Sequence, residues 1–275
     1  MPRQPARESR QHQAFWRDPT LPFVESRRAC HSRACYRAHS HPTFSIGAVD
    51  AGSSVFSGAG EQPIALRPGM LVFVPATRVH ACNPAADASW SYQMLHLDAA
   101  WLQSIRAEYS TNQVSEPIRI LDEPALYQSF CRLNALLFSQ AASTEKEAAL
   151  IEFIGDHDSA SLPGIEVTMP DSSLDERLQP VLQRLRAAVT DELPLAELAR
   201  LADMSRYQLI RAFRASTGMT PHAWQLNQRI NLAREQMRAG TDLATVALNL
   251  GFADQAHFQR VFKAHAGVTP GRYRD

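Results

Sequence analysis

The sequence predicts a two-domain α+β protein, in which a small β-barrel with trailing helices precedes an all-α domain. Three observations carry this reading. Residues 22–97 consist of short β-branched and aromatic runs broken by turn residues, helical periodicity takes over beyond residue 98, and a helical unit is duplicated near the C-terminus. The length of 275 residues allows about two domains of roughly 150 residues each. With 45% hydrophobic and 20% charged residues, chain-wide disorder is excluded. Apolar stretches such as Met70 to Ala76 fall well short of the roughly 20 residues a membrane helix requires. No apolar segment follows Arg3, Arg7 and Arg10, so a cytoplasmic location without membrane contact is expected. Four cysteines, Cys30, Cys35, Cys82 and Cys131, are too few for a disulfide framework, and reduced thiols are expected.

The first domain is assigned to residues 1–154. Phe44 to Val49 and Met70 to Pro75 are representative strand runs, and their close turn signals suit a small barrel or sandwich. After residue 98, Leu126, Phe130, Leu133 and Leu137 recur at i, i+4, i+7 and i+11, which is one face of an amphipathic helix. Residues 155–175, rich in Gly, Pro, Ser and Asp and without sustained period, read as a linker. The second domain then spans residues 176–275.

That domain contains the internal repeat. Leu195 to Trp224 reads LAELARLADMSRYQLIRAFRASTGMTPHAW, and Leu243 to Tyr273 reads LATVALNLGFADQAHFQRVFKAHAGVTPGRY. Ala199 matches Ala247 at an offset of 48, while Phe213, Gly218, Thr220 and Pro221 match Phe262, Gly267, Thr269 and Pro270 at 49. Each copy has the helix, short break, second helix and Gly-x-Thr-Pro stop of a helix-turn-helix. Ser205 and Asp254 are the expected N-caps of the second helices. Leu209 and Phe213 in one copy, and Phe258 and Phe262 in the other, form inward i, i+4 pairs. Arg206, Tyr207, Ile210, Arg211 and Arg214 are left outside in the first copy, and Gln255, His257, Gln259, Arg260 and Lys263 in the second.

Charge is distributed unevenly. Formal charge is zero overall, yet residues 176–275 carry 14 basic and 9 acidic side chains, and only Lys146 and Lys263 are lysines. An Arg-dominated basic domain suits phosphate and guanine contacts. Pro221 to Arg238 is long enough for a helix of about 27 Å, a strut that can hold two recognition helices about one DNA turn apart.

With LAELARLADMS, LIRAFRASTGMTP and LATVALNLGFADQAHFQRVFKAHAGVTPGRYR in place, residues 178–274 resemble the double helix-turn-helix DNA-binding domain of the AraC/XylS transcription regulators. The resemblance implies base readout from both recognition helices. Those positions fall here at Tyr207, Ile210, Arg211, His257, Gln259 and Arg260, with Ser205, Arg206, Arg214, Gln255 and Lys263 as further DNA contacts. Ile210 departs from the polar residue often found there and suits thymine methyls. Promoter DNA is the expected partner, RNA polymerase a second if the protein activates. The resemblance also implies that helices after the barrel pair two chains, and Leu126, Phe130, Leu133 and Leu137 are the candidate homodimer interface.

His39-Ser40-His41 with Gly52, then Gly69, Pro75, His80 and Asn83, resembles the two motifs of the cupin barrel, which AraC/XylS regulators use as an effector-binding domain. In metal-binding cupins such histidines are joined by a Glu. Here Ser45 stands where that carboxylate would fall, so no metal and no cofactor are expected, neutral imidazoles alone needing strong supporting groups. A Cys30, Cys35, His39, His41 cluster matches no common zinc spacing. The cluster reads instead as a pocket for a small polar effector, formed by His39, His41, Phe44, His80, Trp90 and Tyr92, with Tyr36 nearby. Arg37, Arg67 and Arg78 are the candidates for clamping an amino acid or other carboxylate. No catalytic residue is assigned. Two alternatives stand beside the effector-controlled regulator: a metal-dependent cupin enzyme with a helical appendage, using His39, His41 and His80, and a regulator that takes no effector.

Overall fold

The computed structural model describes residues 12–58, 62–108, 117–158, 164–167 and 176–274. The strands are β1 (His12–Arg17), β2 (Val24–Ser32), β3 (Thr43–Gly52), β4 (Ser54–Gly58), β5 (Ile64–Leu66), β6 (Leu71–Val74), β7 (His80–Pro84), β8 (Trp90–Asp98), β9 (Ile118–Leu121) and β10 (Gly164–Val167). They form two antiparallel sheets, β1-β2-β8-β3-β6-β9-β10 and β5-β4-β7, joined by an isolated bridge between His39 and His80. The expected barrel is therefore open, a pair of sheets rather than one closed ladder.

The central strand β3 is covered on both sides, and its period-2 alternation separates two environments. Phe44, Ile46 and Ala48 face the helices α1 (Ala99–Ala107), α2 (Pro124–Leu137) and α3 (Ser143–Asp158), whereas Val49 joins the core between the sheets. This alternation corrects the placement of Phe44. Its ring belongs to the helix-covered core, packed edge-on to Phe73, and cannot reach the face on which Ser45 lies.

The α2 stripe also requires correction. Leu126, Phe130, Leu133 and Leu137 are buried against Leu71, Leu95, Leu97 and Phe153 of their own chain. A face spent on the sheet is not available to pair two chains. The segment read as a linker is partly ordered as well: α3 runs through Gly155, and β10 adds an edge strand to β9. Residues 159–163 and 168–175 of that segment lie outside the described residues.

Beyond a short 3₁₀ turn, the C-terminal half contains α4 (Gln179–Ala187), α5 (Leu195–Leu201), α6 (Arg206–Thr217), α7 (Pro221–Arg238), α8 (Leu243–Asn249), α9 (Gln255–Ala266) and α10 (Pro270–Arg274). The Gly-x-Thr-Pro stop has a mechanical explanation. Gly218 and Gly267 close α6 and α9 in the left-handed conformation, Thr220 caps the next helix by accepting from Ala223 N, and Pro221 and Pro270 open the following helices. Each copy of the repeat has its own core. Leu198, Ala199, Leu209 and Phe213 centre the first, and Ala247, Phe258 and Phe262 the second. The sheet domain contributes one side chain to each, Val79 to the first and Phe15 to the second. No helix among the described residues is long and apolar enough to cross a membrane.

Candidate nucleic-acid interface and ligand cavity

Ser205 starts α6 with a full capping box, accepting from Gln208 N while Gln208 Oε1 accepts from Ser205 N at 2.9 Å. Asp254 does the same work for α9, accepting from His257 N at 2.5 Å. With Leu209, Phe213, Phe258 and Phe262 directed inward, the expected contact residues all come to the outer side. Ser205, Arg206, Tyr207, Arg211, Arg214, Gln255, Gln259, Arg260 and Lys263 are exposed, and Ile210 is half-buried. His257 is also half-buried, its ring set edge-on to Phe252 at 5.6 Å. Arg211 lies over the Tyr207 ring and donates to its hydroxyl at 3.1 Å, so these two side chains are arranged together. Arg229 on α7 donates to the carbonyls of Val189 at 2.6 Å, Asp191 at 3.1 Å and Gly251 at 3.3 Å, which fixes the strut to both repeats.

A cavity of about 650 Å³ opens between the sheet domain and the helical domain. His39, His41, His80, Trp90 and Tyr92 line it as the sequence suggests, together with Tyr36. Phe44 does not, nor do Arg37, Arg67 and Arg78; Arg67 is instead paired with Asp122 at the surface. The arginines that do face the cavity are Arg27 on β2 and Arg234 and Arg238 on α7.

The charge balance inside the cavity is uneven. Burial alone would raise the Glu25 carboxyl, but Arg17 at 2.6 Å overrides it and holds the group below the usual carboxylate range. Arg27 has no such partner. Its Nη1 donates to the Ala266 carbonyl at 3.0 Å and its Nη2 to the Tyr36 hydroxyl at 3.1 Å, while Nε is buried without a partner. Arg234 Nε is likewise buried and unpartnered, as is Trp90 Nε1. Among the described residues neither Arg27 nor Arg234 forms an ion pair. Buried guanidinium groups without a carboxylate are costly, and an anion in the cavity relieves that cost.

Four histidines occupy one wall. Ring centroids of His39 and His80 lie 4.7 Å apart, and His41 is 5.0 Å from both His80 and His96. Burial pushes His39 and His41 well below the ordinary imidazole range, and His80 and His96 down to about 4, so all four rings are neutral at pH 7. Ser45 Oγ, at the position where a carboxylate was looked for, lies 2.7 Å from His96 Nδ1. Cys30 and Cys35 are exposed and stand apart from this group, so the mixed Cys/His cluster does not form.

The comparisons agree with this division of the chain. A model of the AraC-like ligand binding domain matches residues 22–154, and one of a helix-turn-helix domain matches residues 198–275. The arabinose operon regulatory protein of Salmonella typhimurium is 26% identical over 230 residues, covering 81% of this chain and 80% of that protein. The chain belongs to the AraC/XylS family. The HTH-type transcriptional regulator MtrA of Neisseria gonorrhoeae is 34% identical over 101 residues, 36% of this chain and 34% of MtrA. The chain thus spans about a third of the length of such relatives, in which the match is local. A crystal structure of ToxT from Vibrio cholerae with an unsaturated fatty acid bound has the same two-domain fold, with a TM-score of 0.54 at 13% identity, covering 98% of this chain and 97% of ToxT.

In this AraC/XylS chain, sequence reasoning overlooked Glu25, Arg27, His96 and Arg234. Glu25 and Arg27 share one face of β2, and charged residues at i and i+2 within a strand were the available signal. His96 is the cross-strand partner of Ser45, visible only once the β3–β8 register is known. Arg234 reaches the cavity through domain packing. The same packing sets the C-cap of α9: a Cβ at Gly267, where φ is +70°, would sit 2.5 Å from the Tyr36 hydroxyl. Gly267→Ala is expected to destabilise the chain by about 1–2 kcal/mol for the left-handed backbone alone, with a further steric loss. In thermal unfolding, adding Tyr36→Ala should recover only the steric part, and an unchanged Gly267→Ala melt would refute the packing.

Proposed function

We propose that the chain is a cytoplasmic transcription regulator that reads promoter DNA with α6 and α9 and takes a small carboxylate in the cavity between its domains. The carrying observation is the pair of buried, unpaired guanidinium groups of Arg27 and Arg234, one from each domain, facing a common cavity. Guanidinium fits a carboxylate bidentately, and the aromatic walls at Trp90 and Tyr92 suit an apolar tail. ToxT, which shares the fold, holds an unsaturated fatty acid, and such an acid carries the same head group. His39, His41 and His80 line the route to the arginines. No catalytic step is assigned to the cavity. RNA polymerase is the further partner where the protein activates, and a homodimer would need a surface other than the α2 stripe.

Thermal shift with a medium-chain fatty acid tests the ligand class. At 100 times its dissociation constant the acid should stabilise the fold by about 2.7 kcal/mol, and its methyl ester, lacking the anion, should not. Equal shifts from acid and ester, or none from either, would remove the arginine clamp. Footprinting across the protein's own promoter tests the DNA reading separately, and protection of two successive major grooves is the expected result.

A further inference from the structure

The histidine wall has a feature that the carboxylate reading does not use. His39 Nδ1 lies 2.8 Å from the Arg37 carbonyl, His41 Nδ1 3.0 Å from the Thr43 carbonyl, and His80 Nδ1 3.0 Å from the Arg78 carbonyl. A carbonyl oxygen only accepts, so each ring carries its hydrogen on Nδ1 and leaves the Nε2 lone pair free. This is the arrangement that orients metal-ligating imidazoles, the backbone supplying the support that a carboxylate otherwise gives. One ligand atom from each of the three residues lies within 4.8 Å of the others. Around an ion with bonds of about 2.1 Å, nitrogens sit roughly 3.4 Å apart, so shifts of about an ångström close the set. His39 and His80 are further tied by reciprocal backbone hydrogen bonds of 3.0 and 2.9 Å.

The residue between two of these histidines is Ser40, which is held by the strut. Asn227 Nδ2 donates to the Ser40 carbonyl at 2.9 Å, Asn231 Nδ2 donates to the same oxygen at 3.0 Å, and Asn227 Oδ1 accepts from Ser40 N at 3.3 Å. All three residues are buried. Any change that tightens His39 and His41 therefore acts directly on α7, the helix that joins the two DNA-reading units.

We propose that His39, His41 and His80 bind one divalent transition-metal ion, zinc foremost, with its remaining coordination place open to the cavity, and that Ser40 transmits its presence to α7. Neutral imidazoles without a carboxylate favour zinc, nickel, copper or cobalt over magnesium and calcium. The coupling half rests on the DNA-binding reading above; the metal half does not.

The full chain, freed of metal with a chelator, is titrated with ZnCl₂ and separately with CoCl₂. One ion per chain is expected, with Co²⁺ developing the visible absorption of a low-coordinate imidazole site. His39→Ala, a half-buried position, should weaken Zn²⁺ by more than about a hundredfold, beyond the roughly 10–100-fold that loss of a merely supporting group causes. His41→Gln and His80→Gln should do likewise, and His96→Gln should keep the ion. Uptake well below one ion per chain, or uptake retained in the triple variant, would overturn the metal site. Zn²⁺ should then change the affinity for the protected promoter fragment by at least about fivefold. Asn227→Ala or Asn231→Ala should cancel that change while still binding Zn²⁺. Zn²⁺ bound at full stoichiometry with unchanged promoter affinity would overturn the transmission through Ser40, whereas no promoter binding in any state would refute the DNA reading instead.

Discussion

Phe262→Ala is expected to remove about 3–5 kcal/mol from the second helix-turn-helix. Phe262 is fully buried, with Phe258 at 5.7 Å on one side and Tyr273 at 5.4 Å on the other, both edge-on. Truncation leaves a cavity in a small core whose other large members sit on short helices that cannot collapse far without moving α9. A loss of this size is a large part of the 5–15 kcal/mol that stabilises a typical domain. Urea unfolding should report the change as a lower midpoint, and footprinting should show the Arg260 half of the operator unprotected while the Arg211 half persists. A midpoint shift equivalent to less than about 1 kcal/mol would contradict the packing assigned to α9.

Replacing Arg211 and Arg260 together with alanine should cost about 2–6 kcal/mol on the specific operator, taking 1–3 kcal/mol for each bidentate base contact and adding them because the two sit on separate helices without a shared partner. Binding to a random duplex should fall far less, since phosphate contacts from Arg206, Arg214 and Lys263 remain. Fluorescence anisotropy on both duplexes at one salt concentration measures the ratio. Equal losses on the two would assign these arginines to the backbone and not to the bases.

The repeat was readable from sequence because each of its signals is local. A small residue where two helices cross, an N-cap, an aromatic one turn apart from its partner and a glycine stop all act within a dozen residues, and Ser205, Phe213 and Gly218 ended up in the expected roles. The cavity was legible only in part. His39, His41 and His80 lie within motifs, but Arg27 meets the Ala266 carbonyl 239 positions away, and no local pattern encodes that meeting. Phe44 was misplaced because its neighbours were read as a pocket run without assigning alternate faces of β3. The α2 stripe failed for a different reason: an apolar face looks the same whether it covers its own sheet or another chain, and only the packing of Phe130 against Phe153 decides.

Phe15 and Val79 enter the cores of different reading units. The sensor therefore grips the two heads through separate pegs, and withdrawing one does not oblige the other to follow. Release can proceed in stages, so that a half-freed molecule scans one groove while its second head stays parked against the sheet. Such a molecule answers its signal by degrees, as a dimmer does, instead of snapping between off and on.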